Sequence, residues 1–368
     1  MQEREGVWHT GDFSICIACL VLFSVSLIGQ DAGPTIDSRP QSAPAQQSPP
    51  VGNVPRSSLD TASAPQESSD APRQPVEKDD VGMFVLRKQV SEVALHATVI
   101  DDKDHIVTVL DRSAFIVFED EHPQPITSFR REDIPVSMGI LIDNSGSMRE
   151  KRAKVDSAAL NLVRASNAAD QIMVVNFNEE GILDQDFTSD IGKLREALNQ
   201  HESRGLTALY DALNGAAIHL RGSSTHEKKV IFVVTDGQDN ASHTSLEKVL
   251  QSLQEEGAPT VYAIGILGEE KQERARQDLQ ALARRTGGIA FFPKTLDEVD
   301  QISRTVAHDI RSQYAIGYKP SKPRSAGGYR AIRVEARASG YHNLRVRTRH
   351  GYDATQSPDQ NSAPISSH

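Results

Sequence analysis

The sequence predicts an α/β protein: a doubly wound, mostly parallel sheet with a flanking accessory β domain. Two observations carry this. "VSMGILID" (136–143) and "KKVIFVVTDG" (228–237) are nearly continuous apolar runs, the pattern of strands covered on both faces. Strand-like runs then alternate with helix-length segments from Pro135 to Ser312, which implies right-handed crossovers and an open parallel sheet.

The elements follow in order. "MFVLRKQVSEVALHATVIDD" and "SAFIVFEDEHPQPITSFRRED" hold β-branched and aromatic residues with turn-forming breaks, so residues 81–133 read as a small strand-rich unit. After "VSMGILID", "EKRAKVDSAALNLVRAS" places Val155, Ala159, Leu162 and Val163 at helical spacing. "QIMVVNFN" is the next strand and "ILDQDFTS" an edge strand. "IGKLREALNQHE" and "ALYDALNGAAIHLR" are helices on either side of the loop "SRGLT". "KKVIFVVTDG", "SLEKVLQSLQEEG", "PTVYAIGIL", "EKQERARQDLQALARRTGG", "IAFFP" and "LDEVDQISRTVAHDIRS" continue the alternation. After Ser312 helices stop, and "QYAIGYKP", "YRAIRVEAR" and "LRVRTRHGY" are strands. The order strands, α/β, strands predicts that 81–133 and 313–352 form one accessory β domain into which the α/β domain at 135–312 is inserted. Two independent sets of strands is the alternative.

The flanks differ in kind. "FSICIACLVLFSVSLIG" (13–29) is an apolar run without a charge, so residues 1–29 read as a secretory signal, with an uncleaved anchor or, less readily, a buried core helix as the alternatives. Either of the first two exports the rest of the chain to the periplasm, the envelope or the medium. Residues 30–80 are rich in Pro, Ser, Gln and Ala without an aromatic residue, so they form a flexible tether, and the tail at 353–368 reads alike. Cys16 and Cys19 are the only cysteines, so cleavage after the apolar segment excludes thiol and disulfide chemistry. A net charge of -10 gives no support to nucleic-acid binding.

Function turns on "ILIDNSGSMRE" (140–150). Asp143 ends a buried strand, and "NSGSM" turns the chain toward a helix. In open parallel sheets ligands sit beyond the carboxyl ends of strands, where the connection direction switches. Asp236 ends the other long strand, and Thr207 in "RGLTALYDAL" precedes a helix, so both can reach that crevice. Asp143, Ser145, Ser147, Thr207 and Asp236 offer only hard oxygen ligands, which suit Mg2+ or Mn2+, or less tightly Ca2+. Asp, Ser and Gly also dominate ordinary turns, so D-x-S-x-S alone means little. The three segments in order are the signal.

These three segments closely resemble the metal-ion-dependent adhesion site of the von Willebrand factor type A domain, over roughly 135–312. The resemblance implies that Asp143, Ser145 and Ser147 form the first metal loop, Thr207 the second and Asp236 the third. It also implies that an Asp or Glu of a protein partner completes the metal shell. Gly146 is expected to permit the tight turn and Gly205 the approach of the second loop. Asp211 and Asp239 read equally as acceptors behind the metal ligands or as plain exposed acids. "PITSF", "YAIGYKP" and "RTRHGY" look, more loosely, like the flanks of a bacterial, exported subgroup with this domain.

An enzyme is the reading set aside. A phosphatase with an aspartyl nucleophile typically places a second acid where Ser145 stands, "DNSGSM" is not a G-x-S-x-G elbow, and neither His201 nor His219 has a place as general base. "RVRTRH" reads as a solvated sheet face, the charged helix "EEKQERARQDLQALARR" as a wet helix face, and "NAS" (240–242) as an unused glycosylation sequon. The expected function is thus an exported, adhesion-type, metal-dependent protein-binding module, not an enzyme. It would meet nucleic acid nowhere and a membrane only through an N-terminal anchor. The alternative is a structural or assembly subunit of an envelope complex whose metal only rigidifies the loops.

Overall fold

Strand β5 (Val136–Asp143) is buried at every position, and its apolar run is explained by neighbours on both sides and helices on both faces. This and all that follows comes from a computed structural model, which describes residues 92–131, 133–200, 202–267 and 272–354. The segments at 1–29 and 30–80, the start of the first accessory segment at 81–91, His201 and the tail from 355 lie outside the described residues. No helix among the described residues is long and apolar enough to cross a membrane.

β5 pairs in parallel with β6 (Gln171–Phe177) on one side and β8 (Lys228–Thr235) on the other. Beyond β8 lie β9 (Thr260–Gly265) and β10 (Ala290–Phe291), also parallel, and beyond β6 the antiparallel edge strand β7 (Gly181–Thr188). The order is therefore β10-β9-β8-β5-β6-β7. The chain leaves β5 toward β6 and returns to β8, so the winding direction switches between β5 and β8.

Helices α1 (Arg152–Arg164), α2 (Ile191–Leu198) and α6 (Glu298–Arg311) cover one face, with Val155, Leu162, Leu194 and Val306 packed on Ile140, Val174 and Phe232. Helices α3 (Leu209–Ser223), α4 (Leu246–Ser252) and α5 (Glu273–Thr286) cover the other, with Leu213, Leu220, Val249 and Leu279 on Met173, Ile231 and Val233. The ends are set locally. Asp190 caps α2 by accepting the N–H groups of Gly192 and Lys193, and Gly287 ends α5 in the left-handed region at φ 87°.

The accessory β domain has two four-stranded sheets. In one, β1 (Val93–Ile100) lies between β13 (Arg345–Arg347) and β11 (Tyr314–Tyr318), and β11 also pairs with β4 (Ile126–Arg130). In the other, β12 (Tyr329–Ala336) lies between β14 (Gly351–Asp353) and β2 (Phe115–Glu119), and β2 pairs with β3 (His122–Gln124). Strands from before and after the α/β segment thus pair with each other, and Leu95, Val117, Ile316 and Tyr352 share one core.

"LRVRTRHGY", expected as one strand, is two. The break falls at Thr348–His350, where the Gly287–Gly288 turn packs against the backbone; a Cβ on Gly287 would lie 2.6 Å from the Arg349 nitrogen. Of the three arginines in this stretch only Arg345 is on a solvated face, where it pairs with exposed Asp104. Arg347 bonds to Asp309 and to the Gly287 carbonyl, and Arg349 donates to the carbonyls of Gln254 and Glu255 beyond the end of α4.

These contacts form a polar seam between the accessory strands and the α/β domain. Buried Asp309 receives Thr98 Oγ1 at 3.2 Å, the Tyr262 hydroxyl and Arg347. Nearby, His96 lines a cavity of about 210 Å³, and its Nδ1 is buried without a hydrogen-bond partner among the described residues. Burial, reinforced by Lys228, Arg349, Lys229 and Arg130, holds the His96 imidazole down to about 3. The sign follows. Below pH 6.5 the unfolded chain binds a proton at His96 that the folded chain refuses until about pH 3. Stability from this residue is full above pH 6.5 and is lost as pH falls, by about 1.4 kcal/mol per pH unit. Between pH 7 and 5 the wild type is expected to lose about 2 kcal/mol more than His96→Gln. Urea unfolding at both pH values checks this; parallel losses would mean that His96 protonates freely in the folded chain.

Candidate metal centre

Asp143 sits at the carboxyl end of β5, beside the β5/β8 switch, with its side chain wholly buried. Its two oxygens are both engaged: Oδ1 accepts the Ser145 N–H at 2.8 Å and Oδ2 accepts the Thr235 hydroxyl at 2.6 Å. From Ser145 a chain of contacts runs on. Ser145 Oγ and Ser147 Oγ are 3.1 Å apart, and Ser147 Oγ donates to Asp236 Oδ1 at 2.7 Å. Four of the five predicted residues are therefore linked, atom to atom, across the ends of β5 and β8.

Thr207 joins them by position. A Cβ on Gly237 would lie 4.0 Å from Thr207 Oγ1, so this hydroxyl faces the Asp236–Gly237 turn, with no hydrogen bond to the other four among the described residues. Its backbone is fixed: Thr207 N donates to Asn240 Oδ1 at 2.8 Å, and its carbonyl accepts the N–H groups of Asn240 and Ala241. Asn240, the first residue of the sequon, thus works as a loop brace. Gly205 has φ 77°, a conformation L side chains rarely adopt, and its carbonyl accepts the Gly146 N–H at 3.1 Å. Gly146 itself has no such requirement, since a Cβ there would meet the second loop only at ordinary contact distance, 3.7 Å.

Asp211 and Asp239 form no hydrogen bond with the five residues' side chains among the described residues. Asp211 accepts the backbone N–H groups of His243 and Thr244, and Asp239 accepts the Tyr210 N–H and the Ser242 hydroxyl. Both therefore tie the start of α3 to the loop after β8. Burial opposes the charge on Asp211, yet the hydrogen bonds from Thr244 and His243 hold its carboxyl below the usual range.

Three contributors had no clear signal in the sequence. Thr235 reads as the end of an apolar strand, yet it holds Asp143. Lys151 pairs its ammonium with Asp236 Oδ2, and the Asp236 side chain is 0% exposed. Arg152, at the start of α1, is buried beneath the first loop. It donates to Asn144 Oδ1 at 3.0 Å, Asp156 at 2.7 Å, the Leu198 carbonyl at 2.8 Å and Asn176.

The donor set fits a hard divalent cation: two carboxylates and three hydroxyls, all oxygen. Electrostatics points the same way. Burial pushes the Asp143 carboxyl up, against the hydrogen bonds of Thr235 and Ser145, and the charge of Asp236 adds to the rise. Two crowded carboxylates favour a nearby positive charge, and the Lys151 ammonium already supplies one to Asp236.

Comparison with known proteins bears on the same region. The sequence model of the von Willebrand factor type A domain matches residues 138–238. No curated protein matches this chain in sequence. Among solved structures the chain is similar to a von Willebrand factor type A protein from Catenulispora acidiphila, at 14% identity over 75% of this chain and 76% of that one, with a TM-score of 0.43. It is also similar to the PilB minor pilin of Streptococcus sanguinis, at 14% identity over 52% of this chain and 64% of that one, TM-score 0.41. A third is proximal thread matrix protein 1 of the mussel byssus, with a zinc-occupied MIDAS motif, at 18% identity over 50% of this chain and 48% of that one, TM-score 0.40. The chain thus spans less than two thirds of the pilin and about half of the byssus protein.

Proposed function

This chain carries a von Willebrand factor type A domain, and on that premise we propose that it is an exported, metal-dependent protein-binding module. The observation that carries the reading is the linked cluster Asp143–Ser145–Ser147–Asp236 at the sheet's switch point, with the Thr207 hydroxyl facing it. These five residues would hold Mg2+, or Mn2+ or Ca2+. Bound there, the cation supplies Lewis acidity toward an external anion, and an Asp or Glu of a protein partner completes the shell. The chain's own side chains bind the cation and orient the partner's carboxylate. Ser145 Oγ contacts Ser147 Oγ, which donates to Asp236, and no histidine is a hydrogen-bond partner of either hydroxyl among the described residues. Export rests on the apolar segment at 13–29 followed by the Pro/Ser-rich tether.

A metal that serves only to rigidify the loops is disfavoured by a specific feature. The loops are already tied to one another by Gly146 N–H on the Gly205 carbonyl and by Thr207 N–H on Asn240.

Lys151 sets the competition at this site. A divalent cation must displace its ammonium from Asp236, so Lys151→Met is expected to tighten Mg2+ binding about tenfold, the size of one charged hydrogen bond. Calorimetric titration of both proteins checks it, and equal affinities would show that Lys151 and the metal do not compete.

The test of function is capture of a partner from envelope extract. Capture is expected in Mg2+ and not in EDTA, and Thr207→Ala should weaken it by roughly 1–3 kcal/mol while keeping the fold. Ser157→Ala, exposed on α1, serves as the control. Equal capture by all three proteins, with metal bound in each, would remove the metal from the adhesive contact.

A further inference from the structure

Far from the metal loops, two adjoining depressions lie where the last turn of α5 meets the accessory strands. The larger, about 540 Å³, is lined by Arg284 from α5, by Arg333 from β12, and by Arg347, Arg349 and His350 from the β13–β14 segment. The smaller, about 350 Å³, is lined by Gln254, Arg285, Tyr329 and His350, so His350 belongs to both. Their linings together hold five arginines and no Asp or Glu. In a chain whose net charge is -10, that segregation of sign calls for a cause.

Part of the cause is structural. Arg333 is matched by Glu121 and Glu335, Arg347 by Asp309, and Arg349 donates to backbone carbonyls. A helix C-terminus also gains from nearby cations, and Arg284 and Arg285 stand in the last turn of α5. That does not account for the rest. Arg284 and Arg285 are exposed, and their guanidinium groups have no hydrogen-bond or ion-pair partner among the described residues, although the Arg285 carbonyl accepts the His350 N–H at 3.2 Å. His350 senses the excess: burial, Arg284 and Arg285 together hold its imidazole below the usual range.

We propose that this double cleft binds a ligand carrying two or more phosphate groups, one in each lobe, held by Arg284 and Arg285 with Arg349 behind them. Guanidinium forks match oxyanions bidentately, and a phosphate offers three acceptor oxygens where a carboxylate offers two, which suits several arginines around one lobe. The shared chemistry is the phosphate group, free in a soluble oligophosphate or fixed in a phospholipid headgroup. His350, lying between the lobes, reports on occupancy, because an anion beside it offsets the two arginines and raises its affinity for a proton.

The test uses tripolyphosphate and the purified chain in buffer with EDTA, which keeps the metal loops out of the measurement. Wild type is expected to bind saturably by calorimetry and to show the His350 ring resonance titrating at higher pH when tripolyphosphate is present. Each of Arg284→Gln and Arg285→Gln should weaken binding about tenfold, whereas Asp143→Ala should leave it unchanged. Both arginines are exposed, so folding should survive, with circular dichroism as the check. Sedimentation with vesicles containing diphosphatidylglycerol, whose headgroup carries two phosphates, that requires both arginines would assign the phosphates to a lipid; binding of tripolyphosphate alone would assign them to a soluble ligand. No saturable binding by wild type, equal affinity in the double variant, or citrate binding as tightly as tripolyphosphate would overturn the proposal.

Discussion

Arg152→Leu is expected to destabilise the chain by about 3–5 kcal/mol, the range for removing one partner of a buried ion pair. The residue is 8% exposed, and its guanidinium joins the first metal loop, through Asn144 Oδ1, to β6 through Asn176 and to the end of α2 through the Leu198 carbonyl. Its loss strands the Asp156 carboxylate, whose affinity for protons burial already raises against the attraction of Arg152. The acceptors on Asn176 and Leu198 are stranded with it, while Asn144 Oδ1 keeps the Ser203 hydroxyl at 3.1 Å. Arg152→Lys should rescue little, because one ammonium cannot span acceptors that a planar fork reaches from several sides. Urea unfolding gives the measurement. Should the single variant not fold, Arg152→Leu combined with Asp156→Leu is expected to recover much of the loss, since replacing both partners leaves no buried charge unmatched. A single variant within about 1 kcal/mol of wild type would show that the hub is dispensable.

Asp143→Ala and Asp236→Ala are expected to abolish specific divalent binding and to leave the secondary structure intact. Each removes half of the negative charge that compensates the cation's lost hydration, and the three hydroxyls are neutral and cannot replace it. Asp143→Ala also frees the Ser145 N–H and the Thr235 hydroxyl, so the first loop loses its anchor to β8. Without metal, either variant relieves the crowding of two carboxylates, which offsets part of the cost of the hydrogen bonds and of the Lys151 pair that the substitutions remove. With metal, wild type gains stability that neither variant shows, about 2.7 kcal/mol at a hundredfold excess over Kd.

Much of this was legible in the chain. β5 and β8 announce themselves as apolar runs because both their faces are covered, and Asp143 and Asp236 stand out because they interrupt those runs at the sheet's end. What the sequence hides is mostly long-range. Lys151 and Arg152 look like the wet first turn of a helix, and nothing local says that one reaches Asp236, 85 positions away, or that the other is buried against α2 and β6. The split of "LRVRTRHGY" into β13 and β14 has the same origin, in a turn at Gly287–Gly288 pressing on Thr348–Arg349. Pairing of β1 with β11 likewise joins residues more than two hundred positions apart, which alternation alone cannot register.

The most direct measurement is calorimetric titration of Mg2+ and Mn2+ into purified wild type, Asp143→Ala and Asp236→Ala under one set of conditions. One saturable site per chain in wild type and none in either variant is the predicted result. Unchanged metal affinity in both variants would contradict it, and the cluster at the end of β5 and β8 would then be turn chemistry alone.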